Sequence, residues 1–526
     1  MALNKKRSLM DSILRKNNNG RPNQEENRPR NSADQPEEDH TQDKDIPLDL
    51  AILLKLPREN PNRETDGQLI DTHVNQQFKE MGEKFDTNLP QHLRALHTQT
   101  LEELLRVTPS LDAVRLGYWL DSYHRKMFIH LHDLLQESST VQHLLLLFKW
   151  VLQTYLSQDL LGHPDLQKVD LPKTVDLMLM TEWTLLAKEK FSATVKAEVG
   201  GSLSKILQYD HEQKSCDNVE AFNALHVDVI QCIQAIPEEA KKIGSCLFNK
   251  TVHVCFQELY EFVNGISTDD AGFLRKKSEM TKAKTIHCFC WWKIYTDYVP
   301  LLGNKSEMTK AEMIQFMRTL TFCQQIKKYV EDVGHSVQAA LKQKIITQVD
   351  SLKDITMTLL GENITIFLQE HLKKYFTSWR RQSYFTEAIT MLFPTEVYCS
   401  EVQTRVVNEM YKLTAPLYLK HLVKHKKQLK KRWSSNIQQA VKDDAEQLHS
   451  AMLTLADDVE QFNVPLIHAS ELLQPGHIDG KKMDVAMMSK ECMQQSMGEV
   501  LQLIPDLLKM AGLSRDQRQE VLNARS

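Results

Sequence analysis

"AVKDDAEQLHSAMLTLADDVEQF", residues 440–462, places Ala445, Leu448, Met452, Leu455 and Val459 at intervals of three, four, three and four. On a helix that spacing gathers the apolar side chains on one face and leaves the charges on the other. A helical period also follows "TLEELL" (100–105), continuing through Leu111, Val114 and Tyr118. There Thr100 and Glu103 have the spacing of a capping box. Only 17 glycines occur in the chain, and long alternating apolar–polar runs are missing, so strands have neither their turns nor their pattern. Breaks are expected at "GHPD" (162–165), "QAIPEE" (234–239), "VPLLGN" (299–304), "LFPTE" (392–396), "TAPL" (414–417) and "QPGHIDG" (474–480). Helices joined by such short breaks imply an all-α fold, an elongated rod of tandem antiparallel bundles.

A chain of 526 residues exceeds one simple core. Residues 1–45 are polar and read as a disordered tail with a basic N-terminus, because too few apolar groups are present to offset ordering entropy. Residues 46–90 read as a linker and first helix, 91–300 as N-terminal bundles and 301–526 as C-terminal bundles. The net charge of −4 argues against nucleic acid as a partner of the whole molecule. Nine cysteines without framework spacing do not suggest a disulfide scaffold. The most apolar run, "LLLLFKWVL" (144–152), is far short of the ~20 residues needed to span a bilayer. No secretory leader is visible, and the expectation is a cytoplasmic protein.

Signals for catalysis are missing. No Gly-rich phosphate loop and no HExxH occur. "HCFCWW" (287–292) holds Cys288 and Cys290 without the second pair that a zinc site needs. In "HRKMFIHLHD" (124–133), His124, His130 and His132 share no helix face. His421 and His425 have a zinc-compatible spacing but lie among Lys420, Lys424, Lys426 and Lys427, which repel a cation. The expectation is a protein without enzymatic activity, cofactor or metal. "KSEMTKA" occurs at 277–283 and again at 305–311, too short a match to define a solenoid.

Positive charge is concentrated in "YLKHLVKHKKQLKKRW" (418–433), and no carboxylate lies between Glu409 and Asp443. On a single helix Lys420, Lys424, Lys427 and Lys431 form one stripe, with Leu422, Leu429 and Trp433 opposite. Three readings stay open: a solvated face neutralised by Asp443, Asp444 and Glu446, a contact for anionic lipid, or a contact for an acidic partner. The N-terminus, "MALNKKRSLMDSILRK", sets Leu3, Leu9, Met10, Ile13 and Leu14 among Lys5, Lys6, Arg7, Arg15 and Lys16. It reads as a basic amphipathic helix for a membrane surface or as a solvated tail.

"FKWVLQTYLSQDLLGHPDL" (148–166), "FQELYEFVNGI" (256–266), the basic stretch followed by "DAEQLH" (444–449), and "PDLLKMAGLSRDQRQEVLNAR" (505–525) together resemble the exocyst complex component 3 family. That family includes the exocyst component 3-like proteins and tumour necrosis factor alpha-induced protein 2. The resemblance covers roughly residues 90–526. It implies helical bundles of the tethering-complex type and docking of secretory vesicles at the inner face of the plasma membrane. It also implies contacts with exocyst subunits, SNARE proteins, a Ral-type small GTPase and phosphoinositides. The alternative it implies is a membrane-remodelling effector of a Ral-type GTPase that works outside the exocyst.

Overall fold

The computed structural model describes residues 63–83, 88–212, 219–279, 308–333, 337–377, 384–432 and 436–523. These residues are all-α, with no strand among them. The expected amphipathic N-terminus, the 1–45 tail, "HCFCWW" and the "VPLLGN" break lie outside the described residues. The chain divides into two compact units. One comprises residues 1–203, 231–259 and 336–338, and the other comprises 204–230, 260–335 and 339–526.

The first unit contains α1 (Arg63–Glu83), α2 (Leu89–Val107), α3 (Ala113–Glu137), α4 (Val141–Lys149) and the short α5 (Leu171–Thr174). It also takes in α6 (Leu177–Glu212) as far as Leu203, the end of α7 (Val219–Lys241) and the start of α8 (Ser245–Glu279). The capping box expected at Thr100 is not a cap. Helix α2 begins at Leu89, where the Asn88 side chain accepts the Gln91 N–H and Pro90 fills the first turn. Thr100 is buried inside the helix, donating to Leu96 O at 2.6 Å and accepting from Tyr123 OH at 3.0 Å. Glu103 instead pairs with His73 at 2.8 Å and with Arg106 at 2.5 Å. The helical phase then restarts, because Asp112 Oδ1 accepts from the N–H groups of Val114 and Arg115, both at 3.0 Å. That restart turns Val114 and Tyr118 outward while Leu111 stays buried.

Helix α4 passes directly into a π-helix, Trp150–Tyr155, inside the segment that carries the family resemblance. Trp150 Nε1 donates to Leu93 O at 3.0 Å, and the Trp150 and Tyr155 rings stack 5.7 Å apart. Asp176 O can only accept, so His124 carries its proton on Nε2, and its Nδ1 accepts from Tyr155 OH at 2.8 Å. Around them Phe128, Phe148, Trp183 and Phe191 meet edge to face at 5.8–6.2 Å.

The second unit is built on α9 (Lys310–Val333), α10 (Ala339–Thr377), α11 (Tyr384–Leu392), α12 (Ser400–Lys424), α13 (Lys426–Arg432), α14 (Ile437–Leu455), α15 (Val464–Leu473) and α16 (Ile478–Gln494). Three short helices close it, α17 (Gly498–Leu501), α18 (Ile504–Met510) and α19 (Arg515–Asn523). Helix α10 packs against α9 and α12, and α15 lies between α14 and α16. The α14 stripe is buried at Ala445, Leu448, Met452 and Leu455, as the spacing requires, and Val459 falls beyond the helix end. Genuine capping boxes occur elsewhere. Thr309 and Glu312 bond reciprocally ahead of α9 (2.7 and 3.3 Å), and Ser514 and Gln517 do so ahead of α19 (2.9 and 3.3 Å).

Two expected breaks are not breaks. Helix α7 runs through "QAIPEE" with Pro237 inside, and α12 runs through "TAPL" with Pro416 inside. Each proline removes one backbone bond, a cost of about 3 kcal/mol in a bare helix. Burial on both sides offsets it, since Ile233 and Ala240 flank Pro237, and Ala415 and Leu419 flank Pro416, all essentially inaccessible. "LFPTE" does interrupt the helices after Leu392, and "QPGHIDG" does so as far as His477, its last three residues opening α16.

Candidate functional site

Helix α12 has Glu401 in its first turn and Lys424 in its last, each favourable to the helix dipole. Its inward face is Val402, Val406, Met410, Thr414, Tyr418 and Leu422, all buried. The single helix assumed for the lysine stripe is two. Helix α12 ends at Lys424, His425 takes φ −95° and ψ 10°, and α13 runs from Lys426 to Arg432. At the turn His421 O accepts both the His425 backbone N–H, at 3.0 Å, and the His425 ring Nδ1–H, at 2.9 Å. Packing across the turn holds, because Leu422 and Leu429 are both fully buried.

Lys420, Lys424 and Lys427 are exposed, and none of them forms an ion pair among the described residues. Lys426 differs: it is partly buried and reaches Asp506 at 3.2 Å. Of the acids expected to neutralise the stripe, Asp444 accepts from Tyr375 OH at 2.6 Å and Tyr418 OH at 2.5 Å. The Lys431 side chain and Trp433 lie outside the described residues, as do Lys5, Lys6, Arg7, Arg15 and Lys16.

Beneath the lysines sits His421. Burial, then His425, Lys424 and Lys420, lower its pKa to about 4, while Glu370 acts in the opposite sense. It is therefore neutral near pH 7, with Nδ1 buried and without a hydrogen-bond partner. Its ring stacks on His425 at 5.7 Å and on Phe376 at 6.3 Å. The surface thus carries its positive charge on ammonium groups over an aromatic base of Phe376, His425 and the neutral His421. It can attract anions. Among the described residues no group of three or more His, Cys, Asp or Glu side chains could hold a metal ion. Nor is any described helix long and apolar enough to cross a membrane.

Sequence spacing could not reveal the Lys426–Asp506 pair, whose members lie 80 residues apart, or the Tyr375–Asp444–Tyr418 bridge. The i,i+4 relation of His421 and His425 was visible, but not its outcome as an aromatic stack.

A family model described as "Exocyst complex component Sec6" matches residues 27–496. No curated protein sequence matches the chain. A solved structure titled "Crystal structure of M-Sec" is similar with a TM-score of 0.52 and 15% identity, over 89% of this chain and 79% of that one. At that identity the likeness speaks for the fold alone.

Proposed function

The chain belongs to the exocyst complex component Sec6 family, and from that premise we propose that it is a vesicle-tethering adaptor acting in exocytosis at the plasma membrane. The observation that carries the reading is the family match, which runs through nearly all of both helical units. In this proposal the helical surfaces bind other exocyst subunits, SNARE proteins and a Ral-type small GTPase. The lysines at the α12–α13 turn meet anionic phospholipid, phosphoinositide included, where each basic group near the surface contributes about 1 kcal/mol. The protein is then cytoplasmic and peripheral at the inner face of that membrane.

Affinity purification of the tagged full chain, with stoichiometry by mass spectrometry, tests the reading. Other exocyst subunits at near-equal amounts are the expected result. Their absence, with retention of a Ral-type GTPase, would move the function to membrane remodelling outside the exocyst.

A further inference from the structure

Within the first unit, α3 and α6 run side by side in the same direction. His124 meets Asp176 O, Phe128 meets the Trp183 ring at 6.2 Å, and Lys190 Nζ reaches the carbonyls of Leu135 and Gln136. Between them lies a groove of about 300 Å³. Phe128 and Trp183 form its buried floor, and Ile129 and Leu186 stand exposed on its walls, at 55% and 45%. Met178 and Leu185, seven residues apart and more than half exposed, extend the apolar strip along α6. An apolar strip of this kind, left exposed among the described residues, marks a docking surface.

The rim specifies the charge of what docks. Glu182 lines the groove, and one turn beyond Ile129 and Leu186 stand Asp133 and Glu189; all three are exposed and form no ion pair among the described residues. Lys190 is engaged by the two α3 carbonyls, and Arg125 by Asp121. The groove therefore fits an amphipathic helix with basic flanks.

We propose that this helix is the chain's own segment from Leu3 to Lys16. Leu3, Met10, Ile13 and Leu14 supply an apolar stripe, and Lys5, Lys6, Arg7, Arg15 and Lys16 oppose a single acid, Asp11. The connection is also of the right length. Between Lys16 and Arg63, where α1 begins, lie about 47 residue steps, for which a random coil would have an r.m.s. span of roughly 40 Å. Asp66, in the first turn of α1, is bonded to Arg115 at the start of α3. Ile129 lies about 21 Å further along that helix. A tether whose span is of the order of the distance it must cover gives a high effective concentration. Docking withholds both the groove and the segment's apolar side from other partners. The inference does not depend on the lipid reading of Lys420, Lys424 and Lys427.

The test is photo-cross-linking of the full chain carrying Leu185→p-benzoylphenylalanine or, separately, Ile129→p-benzoylphenylalanine, with the joined peptides mapped by mass spectrometry. The expected product joins either probe to residues 3–16 of the same chain, at monomer mass. Its yield should fall by about tenfold when Met10→Asp and Ile13→Asp are added, because docking would then bury unpaired carboxylates. Failure of both probes to reach residues 3–16, cross-links to a second copy, or a yield unaffected by the double substitution would each overturn the proposal.

Discussion

Lys190 and Glu198, eight residues apart on α6, terminate two consecutive helices of opposite end-polarity. The Lys190 ammonium donates to Leu135 O and Gln136 O, both at 2.7 Å, at the C-terminal end of α3. Glu198 Oε1 accepts from the Val141 N–H at 2.9 Å, at the N-terminal end of α4. Each charge faces the pole that stabilises it. Lys190→Met and Glu198→Gln should each lower stability by about 0.5–2 kcal/mol. Because the two side chains serve different helix ends, the double variant should lose close to the sum in denaturant unfolding.

Replacing Asp444 by Ala leaves Tyr375 OH and Tyr418 OH without their shared acceptor. A loss of about 2–4 kcal/mol is expected, since both bonds are charge-assisted and half-buried or deeper. Tyr418→Phe should cost less than Asp444→Ala, and the two together less than their sum, in a double-mutant cycle.

His92 and His130 share one proton across 2.7 Å between their Nε2 atoms. Burial first, then His130, lowers the His92 pKa to about 4, and burial also lowers that of His130. A depressed histidine pKa contributes stability that is present above the unfolded value and lost as pH falls towards the folded one. The thermal midpoint should therefore drop between about pH 6.5 and pH 4. His92→Gln should give a shallower profile over that window, and an identical slope would count against the assignment.

Lys420→Glu, Lys424→Glu and Lys427→Glu together should weaken binding to phosphoinositide-containing vesicles by at least about a hundredfold at low salt, on ~1 kcal/mol per basic residue. The unfolding midpoint should fall only modestly: all three are exposed and form no ion pair among the described residues, and the reversal at Lys424, in the last turn of α12, costs about 1–2 kcal/mol against the helix dipole. Retention of wild-type binding would leave these lysines as a solvated face.

Pro416→Ala should raise stability, by about 1–3 kcal/mol, since it restores a backbone N–H inside a helix whose flanking residues are already buried. An unchanged or lowered midpoint would mean that the proline ring itself is packed in place.

The helical class was legible because stripes such as Ala445–Leu448–Met452–Leu455 depend only on period. Helix ends were less so. The Thr100–Glu103 spacing satisfies a capping box, but the hydroxyl is taken by Leu96 O and the carboxylate by His73 and Arg106. Pro237 and Pro416 carry local breaking signals that tertiary burial outweighs. At the lysine surface, composition located the charge, whereas the bonds of Tyr375 and Tyr418 to Asp444 depend on residues brought together from 69 and 26 positions apart along the chain.

The Trp150–Tyr155 turn has one more consequence. In ordinary α-winding, side chains five positions apart point about 140° away from each other. The wider i→i+5 winding brings the two rings over one another instead, one anchored to Leu93 and the other to His124. The turn is thus a phase correction of one residue, inserted where two aromatic anchors must face the same way. Deleting Leu152, which is exposed there, would set the two rings four positions apart in ordinary winding, about 40° from one another, so both anchors should keep their partners and the contacts beyond them their phase.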